Sequence, residues 1–138
     1  MQEPGADRAR VRCAAAGSRS SARALPATEH SATASTPTRA QRERALATLR
    51  PGASLAELDR SVREGLAAAG YPGQPSHPIC HGVGARAHEP PYAHQAGGGN
   101  VEEGMVLAVE PGVYWPEGGG LRVEDNFLIT ADGAEKLS

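Results

Sequence analysis

Two β-rich segments, residues 105–114 and 121–130, flank the glycine-heavy stretch WPEGGG at 115–120, and this pairing constrains the fold more than any other feature of the sequence. Val, Leu, Ile and Phe dominate both segments, and the glycines between them supply left-handed dihedrals, so an antiparallel hairpin is predicted. Period-two alternation sets Arg122, Glu124 and Asn126 on one side of the second strand and Leu121, Val123 and Phe127 on the other. Glu124 then points away from the apolar side, toward whatever the sheet encloses.

Upstream of residue 76 the punctuation is helical. Ser54 and Glu57 form a capping box, Leu55, Leu58, Val62 and Leu66 share a face suited to packing on a sheet, and Gly70 stops the helix. An earlier helix is predicted to open near Thr36 or Thr38, with Pro37 at a first helical position, and to end at Arg50 before Pro51-Gly52. Residues 1–37 carry few large apolar side chains and are expected to be a disordered N-terminal segment, leaving residues 38–138 as one ordered domain of the α+β class.

A formal charge of −2 gives no reason to expect a nucleic acid or an anionic membrane as partner. The arginines concentrate before Arg63 and the acids after Glu89, so the second half is acidic, as a cation site requires. Cys13 and Cys80 make no disulfide framework, which predicts a reduced, cytoplasmic setting, and no apolar stretch approaches the roughly 20 residues that span a bilayer.

The chemistry gathers in SHPICHGVGARAHEPPY at 76–92, with His77, His81 and His88, and in two answering segments, LAVEPGVY at 107–114 and GGLRVEDNFLIT at 119–130. His81, Glu110 and Glu124 are the ligand types of a hard-to-borderline divalent metal; imidazole with carboxylates suits Mn, Co, Zn or Fe, and strands can hold such a set rigid. A site of this kind activates water. His30 and His94 match no pattern and read as surface residues, while Cys80 reads as a small buried residue, its thiol a stray ligand in the alternative.

HGVG at 81–84, HEPPY at 88–92, VEPGVY at 109–114 and RVEDN at 122–126 together resemble the consecutive signatures of the pita-bread metallopeptidases, the family of Xaa-Pro aminopeptidase, prolidase, creatinase and methionine aminopeptidase. RPGASLAELD at 50–59 extends the resemblance, which covers about residues 38–138, and the VEPG and RVED forms favour the Xaa-Pro branch. The resemblance implies a partial pita-bread fold, two helices packed on a curved antiparallel sheet. It implies that His81 and Glu110 hold one ion, that Glu124 bridges two, and that Glu110 handles the proton of the attacking water. His88 becomes the catalytic histidine near the scissile carbonyl, with His77 and Arg122 also on the substrate side. The implied cofactor is a divalent metal, manganese first with cobalt or zinc as alternatives, dinuclear in the family; the implied substrate is a proline-containing peptide.

The sequence departs from that pattern where the family places an aspartate pair ahead of these helices: before Asp59 there is only Asp7, in the Ala/Arg/Ser tract. At most one ion is therefore expected here. The expectation is a truncated peptidase domain, weak or inactive alone. The alternatives are a non-catalytic peptide- or protein-binding module of the same fold, or half of a split enzyme completed by an N-terminal half or a second copy.

Overall fold

The computed structural model describes residues 27–115 and 119–138. In chain order the elements are α1 (Ala27–Thr48), α2 (Leu55–Ala68), β1 (Cys80–Gly82), β2 (Glu89–Tyr92), β3 (Val106–Val109), β4 (Gly112–Trp115), β5 (Gly119–Arg122), β6 (Asp125–Thr130) and β7 (Gly133–Lys136). The predicted hairpin forms, with each arm broken once. β3 and β6 lie inside a five-stranded antiparallel sheet of order β2-β1-β3-β6-β7, and β4 and β5 continue beyond it as a two-stranded ribbon.

The break has a cause in the sequence. Pro111 has no N–H to give to a ladder, yet its carbonyl still accepts from the Val123 amide at 3.1 Å. Pairings on either side, Gly112 with Arg122 and Val109 with Asp125, belong to one register. Glu110 and Glu124 therefore stand opposite each other in the interruption.

Register also decides which side chains share a face. His81 pairs with Ala108, and Ala108 with Asn126, so His81, Asn126 and, two residues along each arm, Glu110 and Glu124 fall on one side of the sheet. Cys80, Val109, Asp125 and Phe127 fall on the other. That side joins Leu49, Leu55, Leu58, Val62 and Leu66 of the helical layer in one apolar core. Asp125 is the polar member of this side, buried against Arg42 of α1 at 2.5 Å and Lys136 of β7 at 2.7 Å.

The second helix follows its predicted punctuation: the Ser54 hydroxyl accepts from the Glu57 amide at 3.4 Å, and Gly70 takes a left-handed φ of 94° after the helix. The first differs from the prediction. It begins at Ala27 instead of near Thr36 or Thr38, carries Pro37 in its interior, and ends at Thr48. Residues 27–37 are thus helical where disorder is expected from composition. Small side chains make the difference: Ala34 and Thr38 are fully buried, so a stripe poor in large apolar groups still packs closely. The Thr38 hydroxyl donates to the Ala34 carbonyl at 2.8 Å beside the hydrogen bond that Pro37 cannot make. The expectation for residues 1–26 lies outside the described residues.

Candidate metal centre

β1 delivers His81 into the sheet with its ring 3% exposed. Its Nδ1 donates to the Gly82 carbonyl at 2.9 Å, which selects the tautomer whose lone pair lies on Nε2. That Nε2 is buried without a hydrogen-bond partner, and 3.4 Å away lies Oε1 of the buried Glu110 carboxylate. Two acceptors face each other, the imidazole nitrogen of one buried residue and the carboxylate oxygen of another. A positive charge between them, a proton or a metal ion, resolves the repulsion, so the donor set fits a cation.

His88 ends the 83–88 loop just before β2 and is exposed, its ring 4.4 Å from that of His81 at a tilt of 32°. One ligand atom each from His81, His88 and Glu110 lies within 4.8 Å of the other two. Glycine makes the approach feasible: a Cβ on Gly82 would sit 2.5 Å from the Pro90 carbonyl oxygen, so no other residue lets β2 lie this close to β1.

Glu124 is on the same face but turned to Arg122, whose two guanidinium nitrogens reach Glu124 Oε2 at 2.9 Å and Glu110 Oε2 at 3.1 Å. Arg122, which the resemblance sets on the substrate side, is paired in the structure with the two carboxylates. His77 sits at the rim: its Nδ1 contacts the Pro78 carbonyl at 2.7 Å, nearer than Glu110 Oε1 at 3.8 Å, and its Nε2 meets the Tyr114 hydroxyl at 2.9 Å. Burial first, helped by Glu110, pushes the Tyr114 phenol above its ordinary pKa of 10.0 against the lowering pull of Arg122. His94 is exposed, as expected, and the side chain of His30 lies outside the described residues.

Some contributors carry weaker sequence signals. Tyr114 shares the face of Glu110 by alternation within VEPGVY, a signal present in the motif. Asp59 and Arg63 show only as an acid and a base four residues apart on α2; in the structure Asp59 is fully buried, holds Arg63 at 2.6 and 2.9 Å, and Arg63 donates to the carbonyls of Pro75 and His77. This tie fixes the backbone that presents His77. Cys80 lies on the helix side of β1 as a buried free thiol, pushed up from 9.0 to about 12 by burial and secondarily by Glu110.

Residues 14–131 match metallopeptidase family M24, a match that reaches well upstream of residue 38. The Xaa-Pro dipeptidase of Pyrococcus furiosus is 42% identical over 96 residues, which cover 70% of this chain and 28% of that protein. Among solved structures, the prolidase from Pyrococcus horikoshii OT3 superposes with a TM-score of 0.73 at 35% identity, over 78% of this chain and 31% of that one. The X-Pro aminopeptidase from Thermotoga maritima gives 0.73 at 28% identity over the same shares. The chain thus spans under a third of the length of these relatives, and over that span its two helices on an antiparallel sheet are those of the pita-bread prolidases and aminopeptidases. By profile, sequence identity and architecture together, the chain belongs to the M24 family of metallopeptidases.

Proposed function

We propose that the chain carries the metal-holding part of a hydrolase that cleaves Xaa-Pro peptide bonds. The observation that carries this reading is the buried, unpartnered His81 Nε2 facing the Glu110 carboxylate, with His88 within reach on the open side. His81 and Glu110 would hold the ion, with Glu124 the remaining carboxylate on the same face. Manganese is the proposed ion, cobalt or zinc the alternatives, since imidazole and carboxylate suit each of them. A bound ion of this kind supplies Lewis acidity and lowers the pKa of an adjacent water.

The residues divide the remaining work. Arg122 engages Glu110 Oε2 and leaves Oε1 turned to the histidines, where it can take the proton from an attacking water. His88, exposed at the mouth, can donate to the oxygen of a peptide carbonyl as charge builds there. His77, braced by Tyr114 and by the Arg63 contacts to its backbone, forms the wall along which a peptide would lie.

The expected substrates are Xaa-Pro dipeptides, as named for the relatives, and a free thiol at Cys80 suits a reducing, cytoplasmic setting. Activity of the chain alone is expected to be weak, because the described site offers two carboxylates and one guanidinium already engages both. The test is hydrolysis of an Ala-Pro dipeptide by purified chain with manganese, against chelator and against His81→Ala. Metal-dependent proline release that His81→Ala abolishes is expected; release that is indifferent to both would overturn the reading. Among the described residues no helix is long and apolar enough to cross a membrane.

A further inference from the structure

Resting on the role proposed for His88, we propose that Glu89 is a positioning residue: its carboxylate ties down the loop that carries His88 and so holds the imidazole at the mouth of the site. The loop, residues 83–88, joins β1 to β2, whose pairing closes at Gly82 with Glu89. It exceeds the two-residue turn whose geometry alone would fix a hairpin. Residues 84–88 are all exposed, so no buried side chain anchors that stretch. His88 nevertheless has a defined place, its ring 4.4 Å from that of His81 at a tilt of 32°. Polar ties set it.

The loop leaves β1 held by the Val83 amide on the Val106 carbonyl at 2.9 Å, and the Gly84 amide then donates to the Arg86 carbonyl at 3.2 Å. At the other end the Arg86 amide donates to Glu89 Oε2 at 3.1 Å. This last bond reaches back across the loop from the first residue of β2, one position beyond His88, and its acceptor is a carboxylate, which makes the stronger kind of backbone hydrogen bond. Room for the carboxylate comes from Gly84, where a Cβ would stand 2.2 Å from Glu89 Oε1 and 3.2 Å from Oε2. The φ of Gly84 is not left-handed, so the position demands space and not backbone freedom. The second glycine of HGVG and the acid of HEPPY thus act as one unit, and Glu89 reaches the chemistry through the backbone of His88.

Proton NMR of the metal-free full chain at about pH 7.5, where an ordinary histidine is mostly neutral, tests this without reference to activity. The His88 ring protons, assigned by their loss in His88→Gln, are expected to be displaced from free-histidine positions by the ring current of His81. Glu89→Ala should return them to those positions and quicken solvent exchange of the Arg86 amide roughly tenfold. Glu89→Gln, whose amide oxygen accepts the same N–H, should restore both. Gly84→Ala should reproduce Glu89→Ala with the carboxylate still in the chain, and the two changes together should do no more than either alone. Arg86→Ala keeps the backbone N–H and should change neither readout. With manganese and Ala-Pro, Glu89→Ala should lower kcat roughly tenfold or more and leave KM within about twofold, since a displaced histidine weakens the transition state more than the bound substrate.

A folded Glu89→Ala chain that keeps its His88 signals and its Arg86 exchange rate would overturn the assignment, as would an equal loss in Glu89→Gln. Should Glu89→Ala not fold, Gly84→Ala decides the question: displaced His88 signals uphold the tie, and unmoved signals overturn it. The expected NMR changes in a chain that releases no proline with metal would uphold the tie and bring down the peptidase reading alone.

Discussion

His81 Nε2 and Glu110 Oε1 face each other at 3.4 Å with no hydrogen bond between them, and this one contact makes specific demands. Glu110→Gln places an amide N–H where the carboxylate oxygen stood, so in metal-free chain it should leave stability within about 1 kcal/mol while abolishing cobalt binding; urea unfolding and calorimetry on the same sample check both halves. At Cys80, the shift from 9.0 to about 12 leaves roughly a thousandfold less thiolate at pH 8 than an ordinary thiol has. In a Cys13→Ser background, alkylation of folded chain should therefore be slower by about that factor than in denaturant, and faster as pH rises. The sign for stability follows: full below pH 9, and falling between 9 and about 12, where the unfolded thiol ionises and the folded one does not. His81, His88 and Glu110, which the structure brings within 4.8 Å, carry the sequence signal of their motifs, whereas Glu124 turns to Arg122 and His77 to Tyr114. Asp125 carries a misleading signal: it follows Glu124 directly and looks like part of the same acidic site, yet alternation turns it to the helix side, where Arg42 meets it.

The elements were legible to different depths. Apolar periodicity and a capping box suffice for α2, and alternation with a glycine-rich turn suffices for the hairpin, but not for its register. The interruption at Glu110-Pro111 is written in the proline, but only pairing shows that it coincides with Glu124 across the ladder. The early start of α1 was not legible, since burial of Ala34 and Thr38 depends on what packs over them and composition alone cannot report it. Ser54→Ala should cost about 1 kcal/mol, the worth of one N-terminal cap. Gly82→Ala should cost more, about 1–3 kcal/mol, because its Cβ would meet backbone at 2.5 Å and force β2 from β1. Midpoints of urea unfolding rank the two; a harmless Gly82→Ala would mean that β2 has room to move.

For the molecule as a whole, Arg42 and Asp125 tie the helical layer to the sheet, their side chains 11% and 8% exposed. Arg42→Met strands a largely buried carboxylate, although Lys136 remains at 2.7 Å, so a loss of about 3 kcal/mol is expected, at the low end for a broken buried pair. Amide exchange should quicken along α1 while the β3–β6 ladder keeps its protection, and equal quickening in both would show that the tie is not specific. A chain starting at residue 38 should likewise unfold at lower urea than one starting at Ala27, because it forgoes the burial of Ala34.

The uninterrupted register through the broken hairpin also restricts how the two arms can change in length. Deleting a single residue between Glu110 and the turn would rotate that acid onto the layer that shelters Phe127 and Val109, leaving Glu124 and Arg122 behind. Only paired gains or losses, two residues at a time or matched on both arms, keep the acids on one side, so the count of residues around the turn is as much a part of the site as the glutamates.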